Sequence, residues 1–222
     1  MSDLFYDTLW YLGIHAFWLS SSPTVIGAEH TRRPGPFILA ATHQSPYDIP
    51  LLMRHSARRL DFVSIVEVFQ NPFVAWLYGS MNAFPLDRSR PDAPTVRILL
   101  DRLKRGRAVC MFPEGRLRPG PDSVIHTRRI KPGIGRIAQL ANVPILPCVI
   151  INSTAYSKFK SWLPLRRTRY GIIFGPPLHP SADPSATERQ LVACLVELHA
   201  ELSRRSSDEK RLLPDSPYTS SR

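Results

Sequence analysis

Apolar residues along this chain fall into two arrangements: short unbroken runs, and longer stretches in which apolar positions recur three and four apart. The runs at 37–42, 60–66, 107–112, 145–151 and 169–174 have the length and continuity of strands covered on both faces. Helical spacing occupies the intervals. It predicts helices from Ser45 to about Ser56 and over 72–78, 95–104, 134–141 and 187–202. In 95–104, Val96, Leu99, Leu100 and Leu103 share a face and Gly106 suits the C-terminal cap; in the last helix Leu191, Val192, Leu195, Leu198 and Leu202 form one stripe. Strands alternating with helices predict an α/β fold with a mixed, mostly parallel central sheet flanked by helices. Residues 20–23 and 31–36, rich in Ser, Pro and Gly, read as breakers around a short connection.

Outside this alternation lie the two ends. Residues 4–19 carry Leu4, Phe5, Tyr6, Trp10, Tyr11, Phe17 and Trp18, a segment too short to cross a bilayer and without the basic start or cleavage site of a signal peptide. Trp and Tyr favour the membrane interface, so residues 1–22 are expected to form an interfacial helix, with packing onto the chain's own domain as the structural alternative. The fold then occupies 23–203. Residues 204–222, rich in Ser, Arg, Asp and Pro, are expected to be a disordered polar tail.

Charge narrows the partners. The 29 Lys and Arg against 18 Asp and Glu give a net charge of +11, which favours an anionic lipid surface, a phosphorylated substrate, an acidic protein or nucleic acid. The basic residues form no helix-face array and no nucleic-acid motif, so nucleic acid is not an expected partner. Cys110, Cys148 and Cys194 lack CxxC pairing and read as buried thiols in a reducing compartment. His15, His55, His126, His179 and His199 lack paired ligands at metal spacing, so no metal site is expected.

Four polar clusters follow the apolar elements. In Thr42-His43-Gln44-Ser45-Pro46-Tyr47-Asp48 an imidazole and a carboxylate stand five positions apart where a strand gives way to a helix. A neutral imidazole takes a proton near pH 7, and a neighbouring carboxylate orients it and stabilises the imidazolium. Ser45 suits the N-cap, Pro46 the first helical position and Asp48 the third; there Asp48 could equally satisfy backbone donors. Phe112-Pro113-Glu114-Gly115-Arg116-Leu117-Arg118 follows another strand and reads either as an anion cradle at the sheet edge or as a surface turn. Arg88 could hold a phosphate or pair with Asp87. Lys131-Pro132-Gly133 opens a helix, where backbone donors and the helix dipole suit an anion. The pattern Gly133-x-Gly135-x-x-Ala138 is not preceded by a strand and so fails as a dinucleotide site.

Taken in order, Thr42-His43-x-x-x-x-Asp48, Phe84-Pro85-Leu86-Asp87-Arg88, Phe112-Pro113-Glu114-Gly115 and Val143-Pro144-Ile145-Leu146-Pro147 resemble the four motif blocks of the glycerolipid acyltransferase family, typified by 1-acylglycerol-3-phosphate acyltransferase. The resemblance covers about residues 35–178. It implies that His43 is a general base, Asp48 its partner, and Arg88 with the Glu114 and Gly115 loop part of the acceptor-phosphate site. Arg116, Arg118, Lys131 and Gly133 would complete substrate binding, with backbone N–H groups near the 131–133 helix start as candidate oxyanion donors. The implied reaction moves an acyl group from a thioester, acyl-CoA or acyl-carrier protein, to the hydroxyl of a lysophospholipid such as 1-acylglycerol-3-phosphate. No cofactor beyond the donor substrate is implied. The setting would be the cytoplasmic side of a membrane, with the protein peripheral or monotopic on an anionic surface. The chain departs from the family pattern at Leu117, where arginine is usual, and at Ile65 and Val66, where a lysine often precedes the glutamate here numbered 67. Those departures keep a different acceptor lipid, and a catalytically inactive lipid-binding module, as alternatives.

Overall fold

The run 37–42 supplies the centre of the sheet. In the computed structural model, which describes residues 7–8, 11, 19–65, 84–86, 93–163 and 167–212, the strands are β1 (Ser21–Ile26), β2 (Phe37–Ala41), β3 (Leu60–Ile65), β4 (Phe84–Leu86), β5 (Ala108–Met111), β6 (Ile145–Ile151) and β7 (Thr168–Phe174). They form one sheet in the order β1-β7-β6-β2-β5-β3-β4. Every pairing is parallel except β6 with β7, so the expected mixed, mostly parallel sheet is observed.

Every residue of β2 is fully buried because strands flank it on both sides and helices cover both faces. Phe37, Leu39 and Ala41 face one core with Ile49, Leu51, Leu52 and Met53 of α1 (Asp48–His55). Ile38 and Ala40 face the other. That core takes Leu99 and Leu103 from α2 (Ala93–Lys104), Val124 from the short α3 (Val124–Thr127), Ile137 and Ala138 from α4 (Ile134–Ala141), and Leu191, Leu195 and Leu202 from α5 (Pro184–Leu212). The period of two in β2 thus meets apolar helix faces above and below.

The sequence reading is corrected at two connections. Residues 21–23, within the stretch expected as breakers, open β1, which pairs with β7 from Ser21 opposite Thr168 to Ile26 opposite Ile173. Pro23 is compatible with a strand here because β1 lies at the sheet edge, where a missing N–H need not break a ladder. Pro85 sits likewise in the other edge strand, β4. The second correction concerns the expected tail. α5 continues through 204–212, beyond its last buried leucine, Leu202. An established helix adds further turns at little cost, and here Glu201 pairs with Arg205 one turn on at 2.8 Å.

Residues 213–222, the expected helix at 72–78, Val66 and Arg88 lie outside the described residues, as does most of the N-terminal segment. Within that segment the Asp7 carboxylate accepts from Arg59 Nε at 2.9 Å, a contact with the domain between two half-exposed side chains. No helix among the described residues is long and apolar enough to cross a membrane. The three cysteines are free; Cys110 and Cys148 are buried, and burial pushes both thiols up.

Candidate active site

Because β2, β5 and β6 run parallel, the chain leaves all three at one edge of the sheet, where ligands of open α/β sheets bind. Thr42 extends β2 by one step: its N–H donates to Cys148 O at 3.1 Å and its Oγ1 accepts from Ile150 N at 3.1 Å. The chain then turns through 43–47. Asp48 Oδ2 organises that turn, accepting from Gln44 N at 2.7 Å and Ser45 N at 2.9 Å, and lying 3.0 Å from His43 Nδ1. Asp48 is fully buried and its Oδ1 has no hydrogen-bond partner among the described residues. It therefore holds both backbone donors and the imidazole.

The helix begins later than the sequence suggested. Tyr47 is at the cap position and Asp48 is the first helical residue, so Ser45 is not the cap. The Ser45 hydroxyl accepts from Tyr47 N at 3.2 Å and donates to Ser153 Oγ at 3.1 Å, linking the turn to the segment after β6.

The imidazole is mostly enclosed, with 14% of its side chain exposed. Phe112, at the end of the β5 run, stacks on it with ring centroids 3.8 Å apart and planes 12° from parallel. Stacking restricts the ring's tilt and Asp48 commits Nδ1, leaving Nε2 uncommitted among the described residues.

Glu114 does not cradle an anion. Its side chain is buried, Oε2 accepts the His43 N–H at 2.7 Å and Oε1 accepts the Val124 N–H at 2.7 Å. Burial pushes this carboxyl up, opposed by those two backbone donors. Gly115 follows with φ +72°, and a Cβ there would stand 2.5 Å from Lys131 Cδ. Glycine thus serves both the left-handed turn and the passage of the Lys131 stem. Arg118 N donates to His43 O at 2.8 Å, which brings the second arginine of the loop to the dyad's own backbone. Arg116 and Lys131 are exposed and Arg118 half-buried.

The helix start at 131–133 also departs from expectation. Lys131 N donates to Pro113 O at 2.8 Å, and Glu188 Oε1 of α5 accepts from Gly133 N at 2.7 Å and Gly135 N at 3.1 Å. A carboxylate already occupies this helix N-terminus, so Gly133 is not available as an anion or oxyanion donor. The contact is supported by close packing, since a Cβ on Gly135 would lie 2.3 Å from Pro184 O. Sequence reasoning missed Glu188 and Ser153, and it quoted Phe112 in its motif without foreseeing the stacking on His43. Glu188 and Ser153 lie far from their partners along the chain, and Phe112 is an ordinary member of an apolar run. Arg88 lies outside the described residues, and among those described no cluster of His, Cys, Asp and Glu could hold a metal.

The chain matches known proteins across this region. It is 26% identical over 178 residues to a 1-acyl-sn-glycerol-3-phosphate acyltransferase of Streptococcus pneumoniae, covering 79% of this chain and 62% of that protein, so it spans less than two thirds of that relative's length. It is 26% identical over 174 residues to the Bacillus subtilis protein of the same name, covering 78% and 82%. The crystal structure of the 1-acyl-sn-glycerophosphate (LPA) acyltransferase from Thermotoga maritima shares its fold, with a TM-score of 0.63 at 23% identity over 90% of this chain and 79% of that one. The family model described as Acyltransferase matches residues 22–151, which hold the dyad, the stacked phenylalanine and the glutamate brace, and the chain therefore belongs to the acyltransferase family.

Proposed function

We propose that the protein transfers a fatty acyl group from a thioester, acyl-CoA or acyl-carrier protein, to the hydroxyl of a lysophospholipid such as 1-acylglycerol-3-phosphate. The reading is carried by the His43 Nδ1 to Asp48 Oδ2 contact at 3.0 Å, with Nε2 uncommitted among the described residues at the sheet's open edge. Nε2 takes the acceptor's hydroxyl proton as the oxygen attacks the thioester carbonyl. The C–S bond then breaks, and the imidazolium returns the proton to the departing thiolate. Asp48 orients the ring and stabilises its charge, and no covalent enzyme intermediate is required. Arg116, Arg118 and Lys131, together with Arg88, supply positive charge for the phosphates of acceptor and donor. Glu114 and Gly115 act by holding the loop. The relatives bear the name of this activity, which supports the acceptor class.

A second acceptor reading rests on Leu117, which is 44% exposed at the position where the family usually carries arginine. A lysolipid with a headgroup other than phosphate fits that substitution. The protein would work peripherally on the cytoplasmic face of the membrane.

The test is to incubate purified protein with labelled acyl-CoA or acyl-carrier protein and a panel of lysolipids. Transfer is expected with at least one acceptor, and His43→Ala should lose about 10² to 10⁴ in turnover. A folded His43→Ala variant with the wild-type rate would reject the mechanism.

A further inference from the structure

We infer that the exposed side chains of Lys158, Lys160, Leu163, Arg167 and Arg169 form a second membrane-docking surface, which seats the open edge of the sheet on an anionic phospholipid surface. The proposal rests on the acyl-transfer reading for its purpose, since it names the surface from which the acceptor is drawn, but its evidence is separate.

The first observation is in the sequence. No Asp or Glu occurs between Asp122 and Asp183, and within that interval Lys158, Lys160, Arg166, Arg167 and Arg169 interleave with Phe159, Trp162, Leu163 and Leu165. Aromatic residues favour the headgroup level of a bilayer, and lysine and arginine are drawn to anionic lipid. The two types alternate here within one short segment.

The second is where the fold puts it. β6 runs parallel to β2, so the chain leaves it at the edge that carries His43, and the Ser153 hydroxyl meets that of Ser45 at 3.1 Å. Two short 3-10 turns follow, Ser153–Ser157 and Phe159–Trp162. The segment is internally bonded: Lys158 N donates to Ala155 O at 3.1 Å, Ser161 Oγ to Ala155 O at 2.7 Å and Thr168 Oγ1 to Ser161 O at 2.9 Å. Those bonds fix the turns at 153–162 and tie the start of β7 to them before any partner arrives, which reduces the ordering cost of docking.

The third is what it presents. Lys158, Lys160, Arg167 and Arg169 are exposed, and Leu163 is 41% exposed among them. No ion pair engages these four cations among the described residues. β1 begins beside the segment, with Ser21 opposite Thr168, and Leu19 just before it is 51% exposed. Exposed Leu19 therefore enters the sheet next to the basic residues, at the same edge as the dyad. Exposed leucines among the cations fit a lipid surface better than the backbone of a nucleic acid, which would use the cations alone.

The experiment is flotation of the full chain with vesicles of phosphatidylglycerol and phosphatidylcholine, and with phosphatidylcholine alone. Binding to the anionic vesicles is expected to be tighter and to weaken with salt. Lys158→Glu combined with Lys160→Glu should weaken it by at least about tenfold, and the milder pair Lys158→Gln and Lys160→Gln should weaken it less while keeping the wild-type melting temperature. Turnover on a monomeric short-chain lysolipid and a short-chain thioester should stay at the wild-type level in both variants. Wild-type affinity of either folded double variant for anionic vesicles overturns the proposal. So does a loss confined to RNA or to an acidic carrier protein with vesicle binding intact. If the wild type shows no transfer at all but the variants still lose vesicle binding, the acyl-transfer reading fails and the docking element stands.

Discussion

Glu114 holds His43 by its backbone: Oε2 accepts the histidine N–H at 2.7 Å, while Oε1 accepts the Val124 N–H at the start of α3 at 2.7 Å. Arg118 N closes the loop on His43 O at 2.8 Å. The His43 and Glu114 motifs, distant in sequence, are therefore one hydrogen-bonded unit. The orientation of the imidazole depends on three supports: Asp48 at the ring, Phe112 across its face and Glu114 behind its main chain.

Glu114→Gln tests the brace. A glutamine has one accepting oxygen, so either His43 N or Val124 N loses its partner, at a cost of about 1–3 kcal/mol. The urea midpoint should fall accordingly and kcat should fall more than KM rises. Unchanged stability would show that the carboxylate is not needed as a double acceptor.

Asp48→Asn removes the charge opposite the imidazolium but keeps one oxygen for the turn. Turnover should fall by about 10² or more, because the proton-bearing ring is no longer stabilised. Circular dichroism should still report a folded protein. A variant with near wild-type kcat would show that Asp48 serves the turn alone.

The junction of α4 and α5 can be loosened in two ways. Gly135→Ala would press a Cβ against Pro184 O, where 2.3 Å is available, and is expected to cost about 1–3 kcal/mol. Glu188→Ala leaves Gly133 N and Gly135 N without their acceptor and is expected to cost about 0.5–2 kcal/mol. Denaturant titration of each variant measures both costs, and loss at neither position would mean the helices can part freely.

Acid should weaken the fold through His55. Burial, and then the Arg54 charge, hold this imidazole at about 4, and its Nε2 pairs with the Tyr170 hydroxyl at 2.8 Å. In the unfolded chain it titrates near 6.5. Between those values the unfolded state binds a proton that the folded state does not, so stability is present above about 6.5 and is lost as pH falls toward 4. The loss from this group is on the order of 3 kcal/mol. Glu114, pushed up by burial, acts in the opposite sense, with stability lost as pH rises through its folded value. Comparing urea midpoints at pH 7 and pH 4.5 in wild type and His55→Gln isolates the histidine; equal slopes would refute the assignment.

Local pattern was enough for the order of the inner strands and of the helices between them. The continuous apolar runs became β2, β3, β5, β6 and β7 because a strand covered on both faces needs apolar side chains at every position, and that requirement is written residue by residue. The helix at 134–141 was legible from its period, and the structure ends it on Asn142 in the left-handed conformation. The dyad was legible because both of its members lie in one turn. Strand order then brought the Glu114 loop beside it.

Partnership across the fold was not legible. Pro23 reads as a breaker until β1 is known to lie at an edge, and Gly133 reads as an anion donor until Glu188 is found already bonded to its amide. The carboxylate of Glu114 could face a ligand or the backbone with equal local plausibility, and only the approach of His43 and Val124 turned it inward. The sequence by itself determined the five strands whose apolar runs are continuous, the helices with a clear period, and which residues form the imidazole–carboxylate pair, since those depend on neighbours within a few positions. The tertiary structure decided which polar groups are satisfied internally and which remain for a ligand, because that is settled by hydrogen bonds between distant segments and by the burial their packing imposes.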